Sequence, residues 1–178
     1  MPYYAGRVTE SHVSWLNDYD VVRYSEQRHK RHTLESVHAY VNEMNSNPDA
    51  YLWAIILDIH GESGKMFGTV SARLDRPNGV ANVGIMIGDK QRWGKGYGSE
   101  VWDIVCSWLF RQQDTRKIEM GCHYENKAMR NLAESCGMTL EGVRHDHFVV
   151  DGKPQHLLLY AKMKPELAKV TINESSAA

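Results

Sequence analysis

The stretch GIMIGDKQRWGKGYGSEVW, residues 84–102, constrains the fold of this chain more than any other. A run of strand-forming residues leads into Gly94, Gly96 and Gly98, and from there into an amphipathic segment that carries Val101, Ile104, Val105, Trp108 and Leu109 at helical spacing. Glycines at such a junction free the backbone. Successive N–H groups of the turn, together with the positive end of the following helix, then form a cradle for linked phosphates without a strong cationic patch. Arg92 and Lys95 add charge locally.

Two common phosphate loops fit this spacing poorly. The nucleoside-triphosphate loop needs GxxxxGK followed by Ser or Thr, whereas Lys95 is followed by Gly96. The dinucleotide fingerprint needs GxGxxG after the first strand of a parallel βαβ unit, whereas this GxGxG stands in mid-chain after a meander.

Upstream, residues 9–46 hold apolar side chains at three- and four-residue intervals (Val13, Leu16, Val37, Tyr40, Val41, Met44), with a TLES capping box at Thr33. Two or more helices are expected, separated by the aperiodic polar loop RYSEQRHKRH at 23–32. From Tyr51 the period changes. YLWAIILDI, MFGTVSARL and VANVGIMIG read as three antiparallel strands, divided by the turn signals HGESGK and DRPNG. The helix after the glycines should end near Gln113. A strand at KIEMGCH, a helix at NKAMRNLAESCG and two strands around RHDHFVV and HLLLYAKM, joined at DGKP, follow. The pattern is α+β, with one domain over 1–164 and a small, polar tail over 165–178 expected to be poorly ordered.

Composition narrows the function classes. A net charge of −1 on 178 residues offers no basic field for nucleic acid, so anion recognition must be local. Cys106, Cys122 and Cys136 form no CxxC pair, the N-terminus lacks a signal-peptide pattern, and no apolar run is long enough to span a membrane. A cytoplasmic protein without membrane or nucleic-acid partners is expected.

With these elements in order, VGIMIGDKQRWGKGYGSE resembles the acetyl-CoA motif of the GNAT superfamily of N-acetyltransferases. The family's pattern has Arg or Gln where this chain has Trp93, and WGKGY resembles the RimJ/RimL-type branch. YENKAMRNLAESCGM, residues 124–138, resembles that branch's helix with an asparagine against the pantetheine arm, here Asn126, a residue that also suits a helix N-cap. The likeness spans residues 9–163. It implies a central, mostly antiparallel sheet of about seven strands flanked by helices, with acetyl-CoA as cofactor. It implies cofactor contacts from Met86, Ile87, Gly88, Arg92, Trp93, Gly94, Lys95, Gly96, Tyr97, Gly98, Ser99, Asn126 and Arg130. The thioester would lie in a gap between the GIMIG and KIEMGCH strands, where an exposed N–H binds the carbonyl oxygen as it becomes an oxyanion.

The family's tyrosine acid is replaced by Ala133, and the branch's serine by Met129. A thiol is a tolerable leaving group near neutral pH, and Tyr124, Ser135 and Cys136 are the candidates nearby. For the base, Glu119 and His123 flank the expected gap, and Glu26 lies in the acceptor-side loop; a solvated strand residue and a hydrogen-bonded strand end are the plain alternatives for the first two. RYSEQRHKRHTLES resembles family members of amino-sugar biosynthesis. This implies acceptor contacts from Tyr24, Glu26, Arg28 and Arg31, with the arginines and Lys30 against a diphosphate. His145 and His147 alternate on one strand, yet no third ligand supports a metal, and none is expected. Trp15, Trp53, Trp102 and Trp108 read as core.

The expectation is thus direct acetyl transfer to a primary amine, with a 4-amino sugar nucleotide first among acceptors. A protein N-terminus or a polyamine or antibiotic amine comes next, and a non-catalytic acyl-CoA-binding module is the rival of another class. Exposed late strands suit pairing into a homodimer.

Overall fold

The computed structural model describes residues 1–57, 64–112 and 114–165. The HGESGK turn, Gln113 and the tail beyond Pro165 fall largely or wholly outside these residues.

Three short helices open the chain: α1 (Glu10–Leu16), α2 (Tyr19–Val22) and α3 (Leu34–Ser46). Thr9 and Thr33 start α1 and α3 by accepting hydrogen bonds from His12 N–H and Ser36 N–H, and Ser36 completes the capping box on Thr33. The segment 23–32 is not wholly irregular. A 3₁₀ turn, Glu26–His29, forms within it because the Ser25 hydroxyl caps Gln27 N–H.

Strands β1 (Ala50–Ile56), β2 (Met66–Asp75) and β3 (Val80–Ile87) form the expected antiparallel meander. Helix α4 (Tyr97–Gln112), β4 (Lys117–His123), α5 (Lys127–Ser135), β5 (Thr139–Val150) and β6 (Lys153–Met163) complete a six-stranded sheet of order β1-β2-β3-β4-β6-β5. The described count is six rather than about seven. The N-terminal residues form a single Pro2–Trp53 bridge with β1, with Met1 and Tyr3 bonded to Ala54 and Leu52, and the late segment stays one long β5 with register shifts. Asp151 and Gly152, both at positive φ, turn β5 into β6.

Alternation along the strands divides two cores. On one face α4 and α5 bury Trp102, Leu109, Leu132 and Ala133 against Val83, Ile118 and Met120; on the other, α1 and α3 bury Val13, Val37, Val41 and Met44 against Leu52 and Ala54. Each Val, Leu, Ile or Met among them contributes about 1.5–3 kcal/mol when fully buried. The buried stripe of α4 is rotated from the expected one. Trp102, Val105, Cys106, Leu109 and Phe110 face inward, while Ile104 is 61% exposed. The three cysteines are free and buried. No helix among the described residues is long and apolar enough to cross a membrane.

Candidate active site

The site begins with a failure of pairing. β3 runs parallel to β4 only at Val80–Asn82 against Lys117–Glu119; beyond Asn82 the ladder stops, and a gap opens between the ends of the two strands. Gly88 N–H donates to Phe67 O at 2.9 Å, which fixes the alternation along β3. Met86 and Gly88 therefore direct their amides to β2, and of the three expected pantetheine partners only Ile87 turns its main chain to the gap.

Trp93 explains its own departure from the family pattern. Its indole N–H donates to Ile87 O at 2.7 Å, tying the glycine turn back to the end of β3. Gly94 (φ 70°) and Gly96 (φ 82°) adopt the left-handed conformation that only glycine takes without penalty. The first helical bond of α4 runs from Glu100 N–H to Gly96 O, so the amides of Tyr97, Gly98 and Ser99 have no earlier helical carbonyl to reach. These amides and the helix dipole suit a pyrophosphate. Trp15 lies over Gly88, where a Cβ would come within 2.1 Å of its ring. Gly98 is also a close approach, with Leu132 Cδ1 at 3.3 Å from a Cβ built there.

Arg92 is not a free phosphate clamp. Its guanidinium lies over the Phe67 and Tyr97 rings and 3.7 Å from Asp89. Lys95 remains exposed on the turn. Asn126 caps α5 by accepting from Met129 N–H at 3.2 Å, which uses its carbonyl oxygen and leaves its amide nitrogen for other partners.

Across the gap, His123 ends β4 on the face opposite Met120 and Cys122. It is 3% exposed, stacked on Phe148 (centroids 4.2 Å apart) and 5.8 Å from the Tyr24 ring. Its Nδ1 is buried and has no hydrogen-bond partner among the described residues. Burial, reinforced by the nearby Arg28 charge, holds its pKa below the usual imidazole value. Burial thus keeps the imidazole neutral, the state a general base needs, while Nδ1 itself is sealed.

The other candidates separate. Glu119 lies where β3 and β4 are still paired, opposite Asn82, and its carboxylate is 2.8 Å from Lys117. It is therefore outside the gap. Cys136 is packed where α5 ends against the start of α4, its Sγ 3.8 Å from Ser99 O and its pKa raised by burial. Such a thiol is inert packing. Ser135 bonds Leu132 O and meets Ser99 at the same junction. Tyr124 follows His123 and is 46% exposed, with the Arg130 guanidinium 4.9 Å from its ring centroid.

On the acceptor side, Arg28 is enclosed rather than presented. Only 6% of its side chain is exposed; it donates to Ser25 O (2.8 Å), Glu26 (2.8 Å) and Val149 O (3.2 Å), clamping the loop to the end of β5. Tyr19 and Arg23 bind Asp151 and reinforce that attachment. Glu26 serves Arg28 and His29. Arg31 and Lys30 instead border a cavity of about 380 Å³ between the loop, α1, α3 and the β2–β3 face. His12 also lines it; its only mark in the sequence is its place one residue before Val13, on a buried helical face. His145 packs on His156 and His147 on Phe148, because register shifts and the positive φ of Asp146 break the strand's alternation. No grouping of three or more His, Cys, Asp or Glu side chains suited to a metal occurs among the described residues.

The sequence matches the acetyltransferase (GNAT) domain over residues 7–139. It is similar to the uncharacterized N-acetyltransferase p20 of Bacillus licheniformis, with 26% identity over 129 residues that cover 72% of this chain and 70% of that one. The fold is similar to that of the ribosomal-protein-S5-alanine acetyltransferase of Vibrio fischeri (TM-score 0.77, 18% identity, 93% and 92% of the two chains covered). It is also similar to spermidine N-acetyltransferase of Vibrio cholerae in complex with CoA and spermine (TM-score 0.75, 16% identity, 88% and 92% covered). Splayed strands, glycine turn and domain match agree, and the chain belongs to the GNAT acetyltransferase family as an acetyl-CoA-dependent N-acetyltransferase.

Proposed function

We propose that the protein acetylates a primary amine by direct transfer within a ternary complex, with His123 as the base. The carrying observation is a neutral imidazole at the end of β4, past the last β3–β4 pair, whose Nδ1 is sealed, so that Nε2 is the nitrogen proposed to take the proton. The amides of residues 94–99 hold the coenzyme's pyrophosphate, and the thioester lies between β3 and β4 with its carbonyl oxygen toward the Ile87 N–H. The amine nitrogen, freed of its extra proton by His123, attacks the carbonyl carbon; as the C–S bond breaks, the nitrogen gives its second proton to water, and the thiolate takes a proton from water or from Tyr124, which water then re-protonates. Positioning and main-chain electrostatics supply much of the acceleration.

The acceptor enters from the α1–α3 side, along the loop whose Tyr24 faces His123 and whose Ser25 and Gln27 line the cavity. A 4-amino sugar nucleotide is the proposed acceptor, with Arg31 and Lys30 rather than Arg28 facing its phosphates. The protein acts in the cytoplasm, and the long edge of β5, with Leu140, Val143 and Val149 exposed, suits pairing with a second copy. Incubation with acetyl-CoA and a panel of amines should release free thiol only when an acceptor is present. Cofactor binding without release on any amine would replace this reading by a non-catalytic acyl-CoA-binding module.

A further inference from the structure

The cavity beside the gap has a floor whose protonation can be worked out atom by atom. Tyr3 is fully buried, and its hydroxyl lies 2.9 Å from His12 Nδ1, its one hydrogen-bond partner among the described residues. Burial pushes the Tyr3 pKa up to about 12 and the His12 pKa down to about 4, so the phenol keeps its proton and the imidazole is neutral. The phenol therefore donates to Nδ1, and the imidazole proton must reside on Nε2. Among the described residues the sealed side-chain polar atoms without partners are Arg23 Nε, Trp102 Nε1, His123 Nδ1 and Arg130 Nε. His12 Nε2 is not among them and has no partner among the described residues, so it meets the open cavity that His12 lines.

The charge of the lining has one sign. Among the described residues, Lys30 and Arg31 stand at the rim without an ion pair, and no Asp or Glu side chain lines the cavity. An ammonium-rich acceptor would find cations and an N–H donor there, and nothing to neutralise it; a phosphate ester would find complementary donors.

We infer that this cavity is the subsite for a phosphate group on the acceptor, with His12 donating Nε2–H from its floor and Lys30 and Arg31 supplying charge at its rim. The inference rests on the acetyltransferase reading and deepens it, adding the His12 donor to the two cations proposed to face the acceptor's phosphates. It also separates this chain from polyamine acetylation.

Calorimetry on the full chain saturated with coenzyme A, using glucosamine, glucosamine 6-phosphate and spermidine as probes, tests it. The phosphorylated amine should bind at least about tenfold more tightly than glucosamine, with spermidine weakest. Lys30→Glu with Arg31→Glu should erase that preference. His12→Phe should weaken the phosphorylated amine about tenfold and His12→Gln, which retains an N–H, should recover part of it. Normal coenzyme uptake with equal affinities, absent binding of the phosphorylated amine, or a preference for spermidine would overturn the inference alone. Failure to take up coenzyme A would strike the underlying reading instead.

Discussion

Replacing Gly96 by alanine isolates the backbone's part in cofactor binding. A Cβ at Gly96 or Gly94 meets nothing within 4 Å, so neither substitution creates a clash. The cost is conformational: an L-residue held near φ 82° loses about 1–2 kcal/mol relative to the ordinary helical region. Residues 93–96 are exposed, and nothing packs over the glycines to impose that strain, so the free loop relaxes and coenzyme A must restore it. The dissociation constant for coenzyme A should therefore rise about 5- to 30-fold while the unfolding midpoint stays near its original value. Paired titration calorimetry and thermal denaturation separate the two effects. Unchanged affinity, or a loss of stability with affinity intact, would refute the reasoning.

His123→Gln should lower kcat about 10²- to 10⁴-fold with coenzyme affinity unchanged, and because its pKa is depressed, the acidic limb of the wild-type rate profile should fall below pH 6.5. For His12, the folded pKa of about 4 against an unfolded value near 6.5 means that the unfolded chain binds the extra proton between these pH values. Stability should be full above pH 6.5 and decline by about 3 kcal/mol toward pH 4, a slope that His12→Gln flattens in urea titrations. Arg28→Ala should cost about 1–3 kcal/mol and raise the KM for the acceptor by loosening the loop, whereas Arg31→Ala should change stability by less than about 0.5 kcal/mol.

Much of this architecture was readable because it rests on short-range rules. The period switch at Tyr51, the TLES box and the glycine triplet each specify local geometry, and each appears where the residues imply. Features of register and packing were not readable. Gly88 looks like an open backbone position but faces β2, and Glu119 looks poised at the gap but lies where the strands still pair. The first depends on the register of β3 against β2, the second on where the ladder between β3 and β4 ends. Arg28 and Arg31 are indistinguishable by type and spacing; one is enclosed between Ser25, Glu26 and the carbonyl of Val149, 121 residues away. Cys136 was drawn in by its reactivity, yet its neighbours make it core. His12 was passed over because its partner, Tyr3, lies outside any helical period.

Titration of ¹⁵N-labelled protein with coenzyme A, followed at the main-chain amides of residues 93–99, tests the central claim most directly. Binding of the pyrophosphate there predicts that Tyr97, Gly98 and Ser99 show the largest amide shifts and gain protection from exchange. Coenzyme uptake that leaves those amides unperturbed would contradict it.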